Sequence, residues 1–456
     1  MSEATESGDR SPSSPLAPPL WLQLQHAAAV LAAVRSGSSA TAAMERVDAG
    51  LRPGVQALVF QALRWWGRGE ALRRRLAQRT PPPAADALLC AALALGWDPD
   101  LSPYEPFTLV DQTVEAAKRQ PGTRAQASFI NACLRRFLRE RDELLAATAQ
   151  EPVAQWNHPR WWIERLRHDH PKAWQRVLQA NDSAAPLTLR INACRTSVER
   201  YLPALAAQGI EARRVAETGL ELAQARPVQQ LPGFEAGEFS VQDAAAQLAA
   251  PLLLEGLRPG QAGAPLRLLD ACAAPGGKTA HLLERVQGPA HVLALEVDAQ
   301  RARRIDDTLA RLGLQAEVRV ADAGRTQDWW DGQPFDGVLL DAPCTASGIV
   351  RRHPDVRWLR RESDVQQLAV QQAMLLAALW PTVRPGGRLL YCTCSVFREE
   401  GEHQIDAFLA RNSEAQLLPS PGHLLPQARG GSRGLPDNAL GEHDGFFYAL
   451  LQKSIR

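Results

Sequence analysis

Apolar positions recur with a helical period in the first third of the chain and with a strand–helix alternation in the last part. Between residues 21 and about 147, segments such as 22–34 and 55–63 repeat apolar residues at three- and four-residue spacing. Prolines 81–83 and the stretch 96–106 separate such segments without strand-like alternation. Residues 21–150 are therefore expected to form a small all-α domain. Residues 152–180 stay helical in pattern and hold Trp156, His158, Trp161, Trp162 and Trp174. From Leu187 the character changes. Residues 187–192 alternate as a strand, 197–208 read as a helix, and short strands are expected around 210–215 and 219–222. Residues 151–240 are thus read as linker helices and a small α+β subdomain.

Beyond Leu266 the alternation becomes regular. Strands are expected at 266–270, 291–298, 316–322, 335–344, 388–396 and 446–451, with helices at 279–285, 299–312, 364–383 and 399–411 between them. Near-continuous apolar strands separated by amphipathic helices imply a doubly wound parallel sheet over 241–456, with ligands at the carboxyl ends of its strands. A chain of 456 residues is too long for one core, so several domains are expected.

Charge and cysteine usage narrow the class. The 51 Lys and Arg against 50 Asp and Glu leave a net charge of +1, which excludes a polyanion-coating tail but hides local clusters. One such cluster is Arg64, Arg68, Arg73, Arg74, Arg75 and Arg79, with Trp65 and Trp66 among them and only Glu70 opposing it. Arginines beside aromatics suit phosphate and base contact, so RNA is a candidate partner for this domain. Residues 1–20 carry acids and no apolar core, as expected of a disordered leader rather than a secretion signal or anchor. No apolar run reaches the ~20 residues of a membrane helix. Seven cysteines without a Cys-x-x-Cys pair suit a reduced, cytoplasmic protein. His158, His168 and His170 lack cysteine or carboxylate partners at ligand spacing, and Cys392-x-Cys394 is poor zinc spacing, so no metal is expected.

The richest stretch is 266–279, LRLLDACAAPGGKT. A strand, a glycine loop and a helix let backbone N–H groups approach a ligand at a helix N-terminus. Lys278 is one of only four lysines in a chain that otherwise uses arginine, which suggests a position fitted to a compact ammonium. A phosphate loop would need glycine at 272, where Cys272 stands, and the dinucleotide GxGxxG pattern is also absent. Asp270, Glu296, Asp322 and Asp341 each end an expected strand, and Glu296 falls where an acid can accept both ribose hydroxyls of a nucleoside. Cys344 follows one strand in Asp341-Ala-Pro-Cys344, and Cys394 ends another in Thr393-Cys394-Ser395. If those strands neighbour the first, both sulfurs face one crevice. A thiolate so placed can add covalently to a ligand bound in that crevice.

The DACAAPGGKT string, with the two cysteine motifs, resembles the RNA cytosine-C5 methyltransferases. The NusB-like order of the helical region, the 131–136 stretch, the string RRHPDVRWLRR and the closing 444–448 motif resemble the branch acting on bacterial small-subunit (16S) ribosomal RNA. The resemblance covers residues 20–452 and implies an N-terminal NusB-like domain, a small α+β subdomain and a Rossmann-like catalytic domain. It implies S-adenosylmethionine as cofactor, bound by Cys272, Ala273, Ala274, Pro275, Gly276, Gly277, Lys278, Glu296, Asp322 and Asp341. Asp322 would meet the adenine amine, and Asp341 both cofactor and target base. Cys394 would attack and Cys344 would assist product release, while Cys392 would be a bystander. Arg351, Arg352, His353 and Trp358 would contact RNA by phosphate pairing and stacking. A monomer acting on ribosomal RNA, without membrane or metal, is expected. An idle RNA-binding factor on the same fold is the main alternative, and the intact cysteines and Lys278 argue against it.

Overall fold

The computed structural model describes residues 18–260, 263–428 and 441–455. The expected leader, up to residue 17, lies outside them. The chain separates into two compact units, one ending at Gln155 and the other running from Trp156.

The first unit is helical throughout. Helices at Leu20–Arg35, Arg52–Arg64 and Trp66–Leu76 surround Pro83–Gly96, in which every residue from Ala85 to Leu95 is buried. Proline at the first position starts this helix, Pro106–Arg119 and Pro121–Arg124, where its missing N–H costs nothing. The arginine cluster has more acid around it than the sequence suggested. Asp86, buried in the first turn of the central helix, pairs with Arg73 at 2.9 Å and Arg35 at 2.5 Å. Arg74 and Arg75 both reach Glu151, and Arg68 lies 5.2 Å from the Trp97 ring centroid. Much of the cluster therefore holds the unit together, because folding brings in carboxylates that lie far away in sequence.

The second unit holds two sheets. The small one consists of β1 (Thr188–Ile191), β2 (Ala212–Val215), β3 (Gly219–Leu222) and β4 (Phe239–Val241) in the order β2-β3-β1-β4, all pairs antiparallel, with the helix Val198–Ala207 beside it. The large one consists of β5 (Leu266–Asp270), β6 (Ala290–Glu296), β7 (Glu317–Val320), β8 (Phe335–Asp341), β9 (Val383–Thr393), β10 (Ala415–Leu424) and β11 (Phe446–Lys453). Their order is β10-β11-β9-β8-β5-β6-β7. The five strands from β5 to β9 are mutually parallel, while β11 and β10 run antiparallel at one edge.

The period of two divides the core between the faces of the large sheet. Val338, Leu340, Leu389, Tyr391, Phe447 and Ala449 pack on one side with the helix Glu362–Leu379. Leu339, Leu390, Cys392, Phe446 and Tyr448 pack on the other with the helix Ala249–Leu254. Strand order reverses around β5, so the crevice for a ligand opens at the carboxyl ends of β5, β6 and β8. Among the described residues no helix is long and apolar enough to cross a membrane, and no group of three or more His, Cys, Asp or Glu side chains is arranged to hold a metal ion.

Candidate active site

β5 delivers the chain to the loop at residues 271–276, and the helix Gly277–Arg285 leaves it. Gly276 has φ of +94°, and a Cβ there would lie 3.1 Å from Ile305 Cα, so the turn admits glycine on both conformational and steric grounds. Thr279 in the first turn of the helix donates to Asp270 Oδ2 at 2.7 Å. Burial raises the Asp270 carboxyl to about 7, although the Thr279 hydroxyl opposes the shift.

Three of the four strand-end acids line a cavity of about 480 Å³: Glu296 at the end of β6, Asp322 just past β7 and Asp341 at the end of β8. Asp270 does not join them; it is fully buried under the loop and anchors Thr279. Glu296 accepts the Asp298 N–H at 3.1 Å and lies 3.4 Å from Arg301. Of the glycine loop, Ala271, Cys272 and Ala274 face the cavity. Burial, with the nearby carboxylates of Asp341, Asp270 and Glu296, pushes the Cys272 thiol up and keeps it protonated. Lys278 turns toward Asp341 and meets its Oδ2 at 2.6 Å. Burial pulls the Lys278 ammonium down, but Asp341 outweighs it and holds the pKa above its usual value.

The cysteines sit where β8 and β9 end. Asp341 is the register partner of Cys392, so the residues that follow each strand run side by side. Cys344 and Cys394 bring their sulfurs to 3.4 Å on the wall of the same cavity. Contact with the Cys394 thiol, together with burial and the Glu400 carboxylate, pushes the Cys344 thiol well above the usual cysteine range. Gly348 closes the loop after Cys344: a Cβ there would lie 2.0 Å from the Gly445 carbonyl oxygen, and its N–H donates to the Cys394 carbonyl at 2.8 Å. Cys392, the expected bystander, is fully buried, and its thiol reaches Asp341 Oδ1 at 3.5 Å.

The basic string after Cys344 departs from the expectation of an RNA-facing loop. Arg351 is fully buried, with Asp444 Oδ1 at 2.5 Å and Glu442 at 3.2 Å, so its guanidinium is committed inside the protein. Arg352 pairs with Asp444 and Asp243, Trp358 is half-buried, and His353 is exposed. Sequence reasoning passed over Arg360, which lines the cavity and donates to the Thr345 and Cys344 carbonyls at 3.0 and 3.3 Å. Its only sequence signal was membership of the basic string.

A sheet of this order with a glycine loop after its central strand, strand-end acids and a cavity between them defines a Rossmann-like methyltransferase. The model of the 16S rRNA methyltransferase RsmB/F family matches residues 259–452. A ferredoxin-like domain of RsmF/B-like methyltransferases matches 158–229, and the NusB family matches 25–139. Ribosomal RNA small subunit methyltransferase B of Pseudomonas putida is 42% identical over 444 residues, covering 94% of this chain and 97% of that protein. The protein of the same name from Xylella fastidiosa (strain Temecula1) is 44% identical over 407 residues, covering 88% and 89%. Among solved structures, that of PH0851 superposes with a TM-score of 0.73 at 26% identity, covering 94% of this chain and 99% of its own. The chain belongs to the RsmB/F family of methyltransferases, and its methyl donor is S-adenosylmethionine. The cavity suits that donor: Glu296 and Asp322 offer acceptors to hydroxyls and an amine, beside an apolar wall that includes Ala323, Leu368 and Leu375.

Proposed function

We propose that the chain transfers a methyl group to C5 of a cytosine in small-subunit ribosomal RNA, through a transient bond between Cys394 and C6 of the base. The observation that carries this reading is the pair of thiols 3.4 Å apart on the wall of the donor cavity, with Asp341 beside them. The substrate class follows the names of the relatives, which are small-subunit ribosomal RNA methyltransferases.

In this reading the Cys394 thiolate adds to C6, forming an S–C6 bond and moving the C5=C6 electron pair onto C5. Bound S-adenosylmethionine supplies the electrophilic methyl carbon. After C5 takes the methyl group, water takes the C5 proton, the C5=C6 bond re-forms as Cys394 leaves as the thiolate, and N3 returns its proton to Asp341. Asp341 acts as the acid at N3: it gives N3 a proton as the C5=C6 pair moves onto C5, so the ring gains no net negative charge, and the Lys278 ammonium at 2.6 Å stabilises the carboxylate left behind. Cys344, in contact with the departing sulfur, assists release. The helical unit contributes RNA contact through a groove of about 540 Å³ between Pro106–Arg119 and Ala127–Arg139. There Lys118, Arg135 and Arg139 surround an apolar wall, and Phe107 is 81% exposed for stacking.

The test incubates unmodified small-subunit ribosomal RNA with S-adenosylmethionine and analyses the nucleosides and the protein–RNA adducts. Wild type should produce 5-methylcytidine. Cys394→Ala should give neither product nor adduct, and Cys344→Ala should accumulate a denaturant-resistant adduct. Absence of 5-methylcytidine in the wild-type digest would sink the reading, and an adduct trapped in Cys394→Ala would exchange the two roles.

A further inference from the structure

The two cysteine-bearing loops converge on one buried carboxylate that carries no part in the chemistry above. Glu400 lies in the turn Arg398–Glu400 after β9 and is fully buried. Its Oε1 accepts the Thr345 backbone N–H at 2.8 Å and Gln372 Nε2 at 3.1 Å. Its Oε2 accepts the Thr345 and Ser395 hydroxyls at 2.5 and 2.6 Å. Thr345 directly follows Cys344, and Ser395 directly follows Cys394. The same arrangement is tied in further ways. Gln372 also donates to the carbonyl of Pro343, the residue before Cys344, at 2.9 Å, and Tyr391 Oη donates to the Glu400 carbonyl at 2.8 Å. Ser347 and Ser395 hydroxyls lie 2.9 Å apart.

We propose that Glu400 is a positioning residue for methyl transfer: by gripping the residues that follow both cysteines, its carboxylate sets the approach of the Cys344 and Cys394 sulfurs. The proposal rests on the reading of those thiols as the reacting pair. Glu400 is absent from the cavity lining, so it acts through Thr345 and Ser395 rather than on donor or base. The geometry leaves little slack. Four donors occupy the acceptor positions of one carboxylate, two on each oxygen. A buried carboxylate is costly to desolvate, and burial does hold its pKa above the usual value against those four donors. What this arrangement provides is direction: an apolar residue could fill the space but could not link the two loops through hydrogen bonds. Sequential work by two sulfurs on one ring demands placement within fractions of an ångström.

Reach and charge can be separated by substitution. Glu400→Asp keeps the charge but shortens the side chain by one methylene, so it cannot hold both loops. Glu400→Gln keeps the reach. Its carbonyl can serve Thr345 N–H and Gln372, and its amide can donate to the two hydroxyls, which reverse their roles. The experiment measures kcat and KM of the full chain for small-subunit ribosomal RNA and S-adenosylmethionine, with donor affinity by calorimetry. Glu400→Asp and Glu400→Ala should lose about 100-fold in kcat, the scale of an ångström of misplacement, with KM and donor affinity unchanged. Glu400→Gln should restore most of the rate. Thr345→Val and Ser395→Ala, which each remove one arm and leave the carboxylate, should each lower kcat and remain available if Glu400→Ala does not fold. Wild-type kcat in folded Glu400→Asp, or Glu400→Gln as slow as Glu400→Ala, would overturn the proposal. The covalent reading is judged separately by the adduct in Cys344→Ala. If that adduct forms normally while the Glu400 series leaves kcat unmoved, only the positioning role falls. If wild type methylates the RNA and no adduct ever forms, the covalent reading falls, and a rate loss across the Glu400 series no longer supports placement of two reacting sulfurs.

Discussion

Arg190 ties the small sheet to the helix that follows the glycine loop, and its removal has a calculable cost. The guanidinium is fully buried on β1. Nε and Nη2 donate to the two Glu284 oxygens at 2.8 and 2.7 Å, and Nη1 donates to Gln242 at 2.6 Å and to the Gly277 carbonyl at 2.7 Å. Arg190→Met keeps much of the stem and removes all of these bonds. It leaves the Glu284 carboxylate, 2% exposed, without its partner, and the Gly277 carbonyl short of a donor. Removing one partner of a buried pair costs about 3–5 kcal/mol. In a unit of about 300 residues that corresponds to a fall in Tm of about 5–8 °C.

The pH dependence fixes the cause. Burial already raises the Glu284 carboxyl, and Arg190 is the main force pulling it back. Without the arginine it rises further, so the folded variant binds a proton that the unfolded chain releases. Stability of the variant relative to wild type therefore falls as pH rises above the usual carboxylate range. Calorimetric unfolding of the full chain should show the full loss near pH 8 and a smaller one near pH 5. Arg190→Met/Glu284→Met should recover at least half of it. An equal loss at both pH values, with no recovery in the double variant, would refute the argument that an orphaned carboxylate dominates.

Two further outcomes are expected. Glu296→Ala should weaken S-adenosylmethionine binding by about 1–3 kcal/mol, the cost of unpaired polar partners, and unchanged affinity in the folded variant would remove Glu296 from the site. Lys118→Ala/Arg135→Ala/Arg139→Ala should weaken RNA binding and reduce its salt dependence by about one unit of slope per lost contact, with donor affinity retained; an unaltered salt slope would take the groove out of RNA contact.

Periodicity was enough to read the fold where burial repeats regularly. The parallel strands, the loop at 271–276 and the convergence of Cys344 with Cys394 were all legible, because each rests on a local pattern and on the rule that ligands gather at strand carboxyl ends. β10 was not. Its Pro419, Pro421 and Gly422 read as a break, and only an edge strand with a register shift between Leu418 and Gly422 accommodates them. The antiparallel direction of β11 depends on pairing with β9, which no single segment encodes. Glu400 was invisible for a related reason: it lies among Glu399 and Glu402 in an acidic stretch, and only folding singles it out for burial.

Arg351 is turned inward, against the expectation of RNA contact, for a reason it shares with two other arginines. Arg190, Arg351 and Arg357 are all fully buried, and each meets a carboxylate distant in sequence: Glu284, Asp444 and Asp182. Such pairs add little net stability compared with apolar packing, but breaking one is expensive, so they penalise every arrangement except the native one. Their placement follows the needs of the site. Arg190 holds the carbonyl that starts the helix Gly277–Arg285, and Arg351 with Arg352 pins the segment after Cys344 to the start of β11. Arg357 fastens the same segment to Asn157, Asn181 and Asp182. The loop that carries Cys344 is thus held near its sulfur by Glu400 and further along by arginines. A rigid loop gives up adaptability, and in the proposed reading RNA contact is left to surfaces outside it, such as the exposed Phe107 groove of the helical unit. If the two sulfurs act in turn on one ring, as proposed, fixed separation serves them better than mobility, and the internal arginine pairs supply it.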